Sequence, residues 1–140
     1  MTCEQREVII VGGGPAGLAA AVRLKSLGVD GILILEREKE LGGILRQCIH
    51  DGFGLTRFKE ALSGPEYAQR FKDEVDRLGI EYVTDTTVIE MTKDKTLIAV
   101  SKDGLNAYKA NAIVLSMGCR ERTHGAISIP GTRPAGVYTA

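Results

Sequence analysis

An α/β architecture, with a mainly parallel sheet and a small antiparallel meander, follows from three features of this 140-residue chain. Two unbroken apolar runs, at residues 8–11 and 32–35, bracket a glycine-rich turn and a stretch with helical spacing. Short alternating runs fill residues 86–110, each bounded by Lys, Asp, Gly or Asn, as the strands of a meander are. A last apolar run over 112–116 opens onto Met117-Gly118. Apolar strands without alternation are buried on both faces, which in an α/β chain means a parallel sheet covered by helices.

The first unit, residues 7–36, is a βαβ crossover built around Gly12-Gly13-Gly14-Pro15-Ala16-Gly17. Gly12 turns the chain sharply out of the first strand, Gly14 leaves the backbone open to a diphosphate, and Gly17 lets helix and strand approach. The helix beginning near Pro15 points its unpaired N–H groups and its positive dipole end at that space. Leu18, Val22 and Leu27 fall on or near one face of it, and Gly28 stops it. Glu36 follows Gly17 by 19 positions and ends the second strand. Its carboxylate there accepts from the ribose hydroxyls of an adenosine and repels a 2′-phosphate.

Beyond this unit, residues 41–55 combine Gly42-Gly43 with apolar anchors and read as an ordered double-glycine loop with a short helical turn. A second amphipathic helix is expected over 64–78, with Tyr67, Phe71, Val75 and Leu78 on one side and Gly79 as its stop. Residues 80–83, 86–91, 97–101 and 106–110 then read as short strands of an antiparallel meander, with a turn at Lys102-Asp103-Gly104. A separate parallel strand over 112–117 carries Ser116, Met117 and Gly118 to a crevice at its carboxyl end.

Composition limits the partners. The 18 Lys and Arg offset 18 Asp and Glu, so no basic stripe suggests nucleic acid or an anionic membrane. The longest uncharged stretch, residues 8–22, is broken by four glycines and a proline and does not span a bilayer, so no membrane insertion and a cytoplasmic location are expected. Cys3, Cys48 and Cys119 are far apart, with no C-x-x-C and two histidines, so no metal site is expected.

These residues together resemble the first part of the FAD domain of the two-dinucleotide-binding-domain flavoproteins, the group that contains glutathione and thioredoxin reductases. The marks are the glycine fingerprint with Glu36, the double glycine Gly42-Gly43, the meander, and Leu115-Ser116-Met117-Gly118 followed by Ile129-Pro130-Gly131. Cys48-Ile49-His50-Asp51-Gly52-Phe53-Gly54 and the closing run from Arg133 to Ala140 look most like flavoprotein dehydrogenases, or subunits of oxidases, that act on amines, opines or glycerol phosphate.

The resemblance implies a Rossmann-like FAD/NAD(P)-binding fold and a flavin-dependent oxidoreductase. FAD is its cofactor, and a small-molecule substrate, NAD(P)H or an electron acceptor, with a partner subunit, is its company. By the same resemblance Gly12, Gly14, Pro15, Ala16 and Gly17 surround the pyrophosphate, and Glu36 and Arg37 the ribose and adenine. Gly43, Ile44 and Leu45 face the diphosphate and ribityl chain, Val88 meets adenine through its backbone, and Ser116, Met117 and Gly118 line the crevice. Residues 1–140 then constitute an incomplete FAD domain, lacking its second half and a nicotinamide domain, and are expected to be inactive alone. The alternative readings are an NAD-binding dehydrogenase domain and a non-catalytic dinucleotide-binding subunit.

No catalytic residue is assigned. Only Cys48 lies in the loop where disulfide reductases carry a cysteine pair, so dithiol chemistry is not expected there; Cys48 reads as a packing residue and Cys119 as a small residue in a tight turn. His50, His124 and the charged run Arg120-Glu121-Arg122 read as structural or solvated positions.

Overall fold

The computed structural model describes residues 3–120, 122, 123, 125–128, 131, 132, 135 and 136. Strand β1 (Cys3–Val11) leads into helix α1 (Pro15–Ser26) and strand β2 (Ile32–Leu35). A 3₁₀ turn (Gly43–Gln47) and a two-stranded ribbon of β3 (Asp51–Phe53) and β4 (Leu62–Ser63) precede helix α2 (Gly64–Arg77). Strands β5 (Glu81–Val83), β6 (Thr87–Met91), β7 (Thr96–Ser101) and β8 (Gly104–Leu115) follow. One six-stranded sheet runs β5-β2-β1-β8-β7-β6, parallel from β5 to β8 and antiparallel through β7 and β6.

The unbroken apolar runs have two separate destinations. Val8, Ile10, Ile32 and Ile34 pack with Leu18, Ala21 and Val22 of α1 and with Phe71 and Val75 of α2. Ile9, Val11, Leu33 and Leu35 point the other way and pack against Leu97, Ala99, Tyr108 and Ala110 of the meander. Alternation along a strand thus feeds two cores, and both faces are apolar because both are covered.

Helix α2 begins with a complete capping box. Ser63 accepts from the Glu66 N–H, and the Glu66 carboxylate accepts the Ser63 N–H at 2.8 Å. Its apolar side adds Tyr67 and Phe71 to an aromatic group with Phe53 and Phe58, the ring centroids 5.2 to 6.3 Å apart.

Four expectations need correction. Residues 106–110 and 112–116 are one continuous strand, because Asn111 projects outward, donates to Glu7 at 2.9 Å and leaves the ladder intact. Residues 80–83 stand outside the meander: β5 pairs in parallel with β2 at the opposite edge, a partnership that strand length alone does not encode. Leu27 is exposed, being the residue that ends α1 rather than part of its buried face. The loop over 41–55 hides β3, whose partner β4 lies just before α2. Glu121, His124, Ile129, Pro130, Arg133, Pro134 and the closing residues 137–140 lie outside the described residues. Among the described residues no helix is long and apolar enough to cross a membrane.

Candidate dinucleotide-binding site

The carboxyl ends of β1, β2 and β8 meet at one crevice, where Gly12 N–H donates to Leu35 O at 2.8 Å and Ser116 N–H to Val11 O at 2.9 Å. Gly12 has φ +104°, a conformation open to glycine, and a Cβ there would overlap the Ser116 carbonyl. A Cβ on Gly17 would overlap the Gly12 carbonyl oxygen and stand 2.7 Å from Ser116 Oγ. Helix α1 therefore sits directly against the turn. The Ser116 hydroxyl lies 2.9 Å from the Gly12 carbonyl oxygen and 3.0 Å from that of Val11, pinning the end of β8 to the same turn.

Helix α1 starts at Pro15 with Gly14 as N-cap, no side-chain cap and no acid in its first turn. The N–H groups of Gly14, Ala16 and Gly17 have no acceptor among the described residues. Gly43 faces this opening: a Cβ on Gly43 would come within 3.0 Å of Gly14 Cα, whereas one on Gly14 would meet nothing nearer than Gly43 Cα at 3.9 Å. Gly14 and Gly43 thus pack backbone to backbone beside the uncapped end of α1, whose unpaired donors are the arrangement that admits an anion.

Glu36 fixes the loop. It is 5% exposed, and its Oε2 accepts the Gly13 N–H at 2.6 Å while Oε1 accepts the Glu38 N–H at 2.8 Å. From the other side Gly42 N–H donates to Gly13 O at 2.8 Å. The peptide groups around Gly13 are held at both ends, by a carboxylate and by the double-glycine loop. Sequence reasoning placed Glu36 at the site but missed the Gly42 tie. Leu41, whose side chain a Cβ on Gly13 would strike, was also missed; a buried leucine directly before Gly42-Gly43 was the available signal.

Other predicted residues spread around this centre. Arg37, Met117, Gly118, Cys119 and Arg120 line a cavity of about 530 Å³. Ile44 is exposed, but the Leu45 side chain is buried, and its carbonyl faces the start of α2, where a Cβ on Gly64 would overlap it. Val88, in β6, is half-buried against the meander core. The preceding segment reaches the site directly, with Thr86 N–H donating to Glu36 O at 2.9 Å and Asp85 N–H to Glu38 O at 3.0 Å.

Cys48 is half-buried with Sγ 3.4 Å from Ile44 O, and its carbonyl accepts the Gly64 N–H at 2.8 Å. It is thus wedged under α2, as a packing residue is. His50, just before the ribbon, lies against Phe53 with ring centroids 5.1 Å apart.

The family model for pyridine nucleotide-disulphide oxidoreductases matches residues 6–139. A thioredoxin reductase from Streptomyces clavuligerus is 27% identical over 123 residues, covering 87% of this chain and 37% of that protein. A thioredoxin reductase from Bacillus subtilis is 28% identical over 130 residues, covering 93% of this chain and 38% of its own length. The crystal structure of L-proline dehydrogenase from P. horikoshii shares the fold, with TM-score 0.72 and 22% identity over 88% of this chain and 25% of that one. The chain therefore spans about a quarter to two-fifths of the length of these proteins. A glycine turn backed by an uncapped helix, a carboxylate at the end of β2 and a match over residues 6–139 lead to one conclusion: the chain belongs to the pyridine nucleotide-disulphide oxidoreductase family.

Proposed function

We propose that this chain is the FAD-binding portion of a flavin-dependent oxidoreductase. The observation that carries the reading is the open amino end of α1, where the N–H groups of Gly14, Ala16 and Gly17 have no acceptor among the described residues. That helix end suits a diphosphate, because it presents backbone donors and neither a side-chain cap nor an acid in its first turn competes for them. Gly12, Gly14, Pro15, Ala16 and Gly17 surround the diphosphate, with Gly43, Ile44 and Leu45 on its ribityl side. Glu36 keeps a lone pair on each oxygen for ribose hydroxyls after accepting from Gly13 and Glu38. Arg37 borders the ribose and adenine, the backbone of Val88 meets adenine, and Ser116, Met117 and Gly118 line the crevice near the cofactor.

The flavin, when bound, supplies the chemistry by accepting a hydride and passing electrons onward, while the chain binds and orients it. Family membership supports this reading over a plain NAD-binding dehydrogenase domain, as does the meander that covers the second face of the sheet. A small-molecule substrate or electron acceptor, NAD(P)H, a cytoplasmic location and a partner subunit belong to the same proposal. The cysteines Cys3, Cys48 and Cys119, free of disulfides, suit a reducing compartment.

The visible spectrum of the purified whole protein, with chromatography of what heat releases, tests the proposal. A flavin band and released FAD are expected. Colourless protein that binds NAD and takes up no FAD would replace it with the NAD-dependent dehydrogenase reading.

A further inference from the structure

We propose that Ser116 is a positioning residue for the ribose of the dinucleotide: its hydroxyl holds the peptide between Gly12 and Gly13 in the orientation that ties down the Glu36 carboxylate. The assignment rests on the dinucleotide reading above and gives Ser116 a task other than lining the crevice.

The Ser116 hydroxyl has one proton and two carbonyl oxygens within reach, Gly12 O at 2.9 Å and Val11 O at 3.0 Å. Val11 O already accepts the Ser116 N–H at 2.9 Å, whereas Gly12 O has no other donor among the described residues. The proton therefore belongs to Gly12. Gly17 of α1 packs over this bond, since a Cβ there would overlap the Gly12 oxygen and stand 2.7 Å from Ser116 Oγ, and it leaves no room for water from that side.

The same peptide unit carries the Gly13 N–H, which donates to Glu36 Oε2 at 2.6 Å. A trans peptide is planar with its C=O and N–H pointing opposite ways, so fixing the oxygen toward Ser116 aims the hydrogen at Glu36. Glycine on both sides gives the torsions about this unit more freedom than any other residue pair would, and Gly12 sits at φ +104°. Two hydrogen bonds, one at each end, keep the peptide from turning. A turned peptide would set the Gly12 oxygen against the carboxylate of Glu36, which is 5% exposed and has the Glu38 N–H, at 2.8 Å, as its other partner. Ser116 thus acts through the peptide on the carboxylate assigned to the ribose.

Calorimetric titration of the flavin-free whole protein with ADP, and separately with 2′-deoxy-ADP, tests the assignment, because the second ligand lacks one of the hydroxyls that Glu36 accepts from. Ser116→Ala removes the hydroxyl and keeps the backbone N–H that bonds Val11. The native protein is expected to prefer ADP by about tenfold, the worth of one charge-assisted hydrogen bond. The variant is expected to bind ADP about fivefold more weakly and 2′-deoxy-ADP as the native protein does, so its preference falls to about twofold. Equal weakening of both ligands would make Ser116 a residue of fold stability alone and overturn the assignment, as would unchanged ADP binding. In a Glu36→Ala background, Ser116→Ala is expected to cost less than about twofold in FAD affinity, read by flavin fluorescence, and a full fivefold loss there would overturn the route through Glu36. A native protein that binds both ligands equally would take Glu36 away from the ribose, and one that binds neither would overturn the dinucleotide reading itself; the assignment falls with either.

Discussion

The two helices of this chain begin in opposite ways. Each carries proline in its first turn and at least one basic residue in its last. Helix α2 is closed by its own sequence: Ser63 and Glu66 satisfy each other's backbone N–H groups. Helix α1 has Gly14 where a capping side chain would stand and no acid behind it. Glycine at that position leaves a helix only about a few tenths of a kcal/mol less stable than a capping side chain would. The carboxylate beside α1, Glu36, bonds instead to Gly13, one residue before the cap position, so it orders the turn without closing the helix. One helix is finished by the fold, and the other is left open, for a ligand to finish in the function proposed above.

The sharpest ways to break this contrast act on α1. Gly17→Ala places a methyl into the Gly12 carbonyl and against Ser116 Oγ, both fixed by the sheet, so the helix must move away from the turn. We expect a loss of about 3 kcal/mol in denaturant unfolding, with flavin lost on desalting. Gly14→Asp tests the opposite: Gly14 has φ −76° and ψ −174°, which any residue adopts, and its Cβ has room. The new side chain caps α1 as Ser63 caps α2, so the unliganded protein is expected to melt no lower than the parent. Its negative charge stands where the diphosphate approaches, and FAD binding is expected to fall by roughly a hundredfold, measured by flavin fluorescence titration.

Glu36→Ala separates loop order from capping. It leaves the Gly13 and Glu38 N–H groups without their acceptor and removes the ribose carboxylate. Charge-assisted hydrogen bonds contribute about 1.5 to 3 kcal/mol, so FAD affinity should fall at least about tenfold. Unfolding should also occur at lower denaturant, because a buried donor is orphaned. Normal FAD affinity in this variant would remove Glu36 from the site.

The crossover was legible because its information is local. The bounds of α1 and β2, the turn at Gly12 and the placement of Glu36 follow from spacing within residues 8–36. What escaped depends on residues far apart in the chain. Ser116 reaches Gly12 across 104 positions, Gly42 finds the Gly13 carbonyl, and β5 chooses β2 as its neighbour, none of which a periodicity encodes. The same limit explains Asn111, polar enough to suggest a break yet satisfied by Glu7 at the strand surface. Leu45 is a milder case. Its neighbours Gly43 and Ile44 are open to the crevice or solvent, but its own side chain is drawn into the core by the 3₁₀ turn.

The smallest expected effects lie at α2 and leave the crevice untouched. Ser63→Ala should cost about 1 kcal/mol of stability with no change in FAD affinity, which separates the cap that serves the fold from the end that serves a ligand. Acid unfolding gives a finer test. The N–H and hydroxyl of Ser63 hold the Glu66 carboxyl below its ordinary value of 4.5. The unfolded chain therefore binds more protons than the folded one between those two values, and stability rises with pH across that window. This contribution is complete above 4.5 and disappears as pH falls through the folded value. Glu66→Gln should thus match the parent's stability at the acid end and fall behind it toward neutral pH, read from urea midpoints over a pH series. A constant gap at every pH would mean that the capping box works by shape alone, and charge would then play no part in distinguishing the two helix ends.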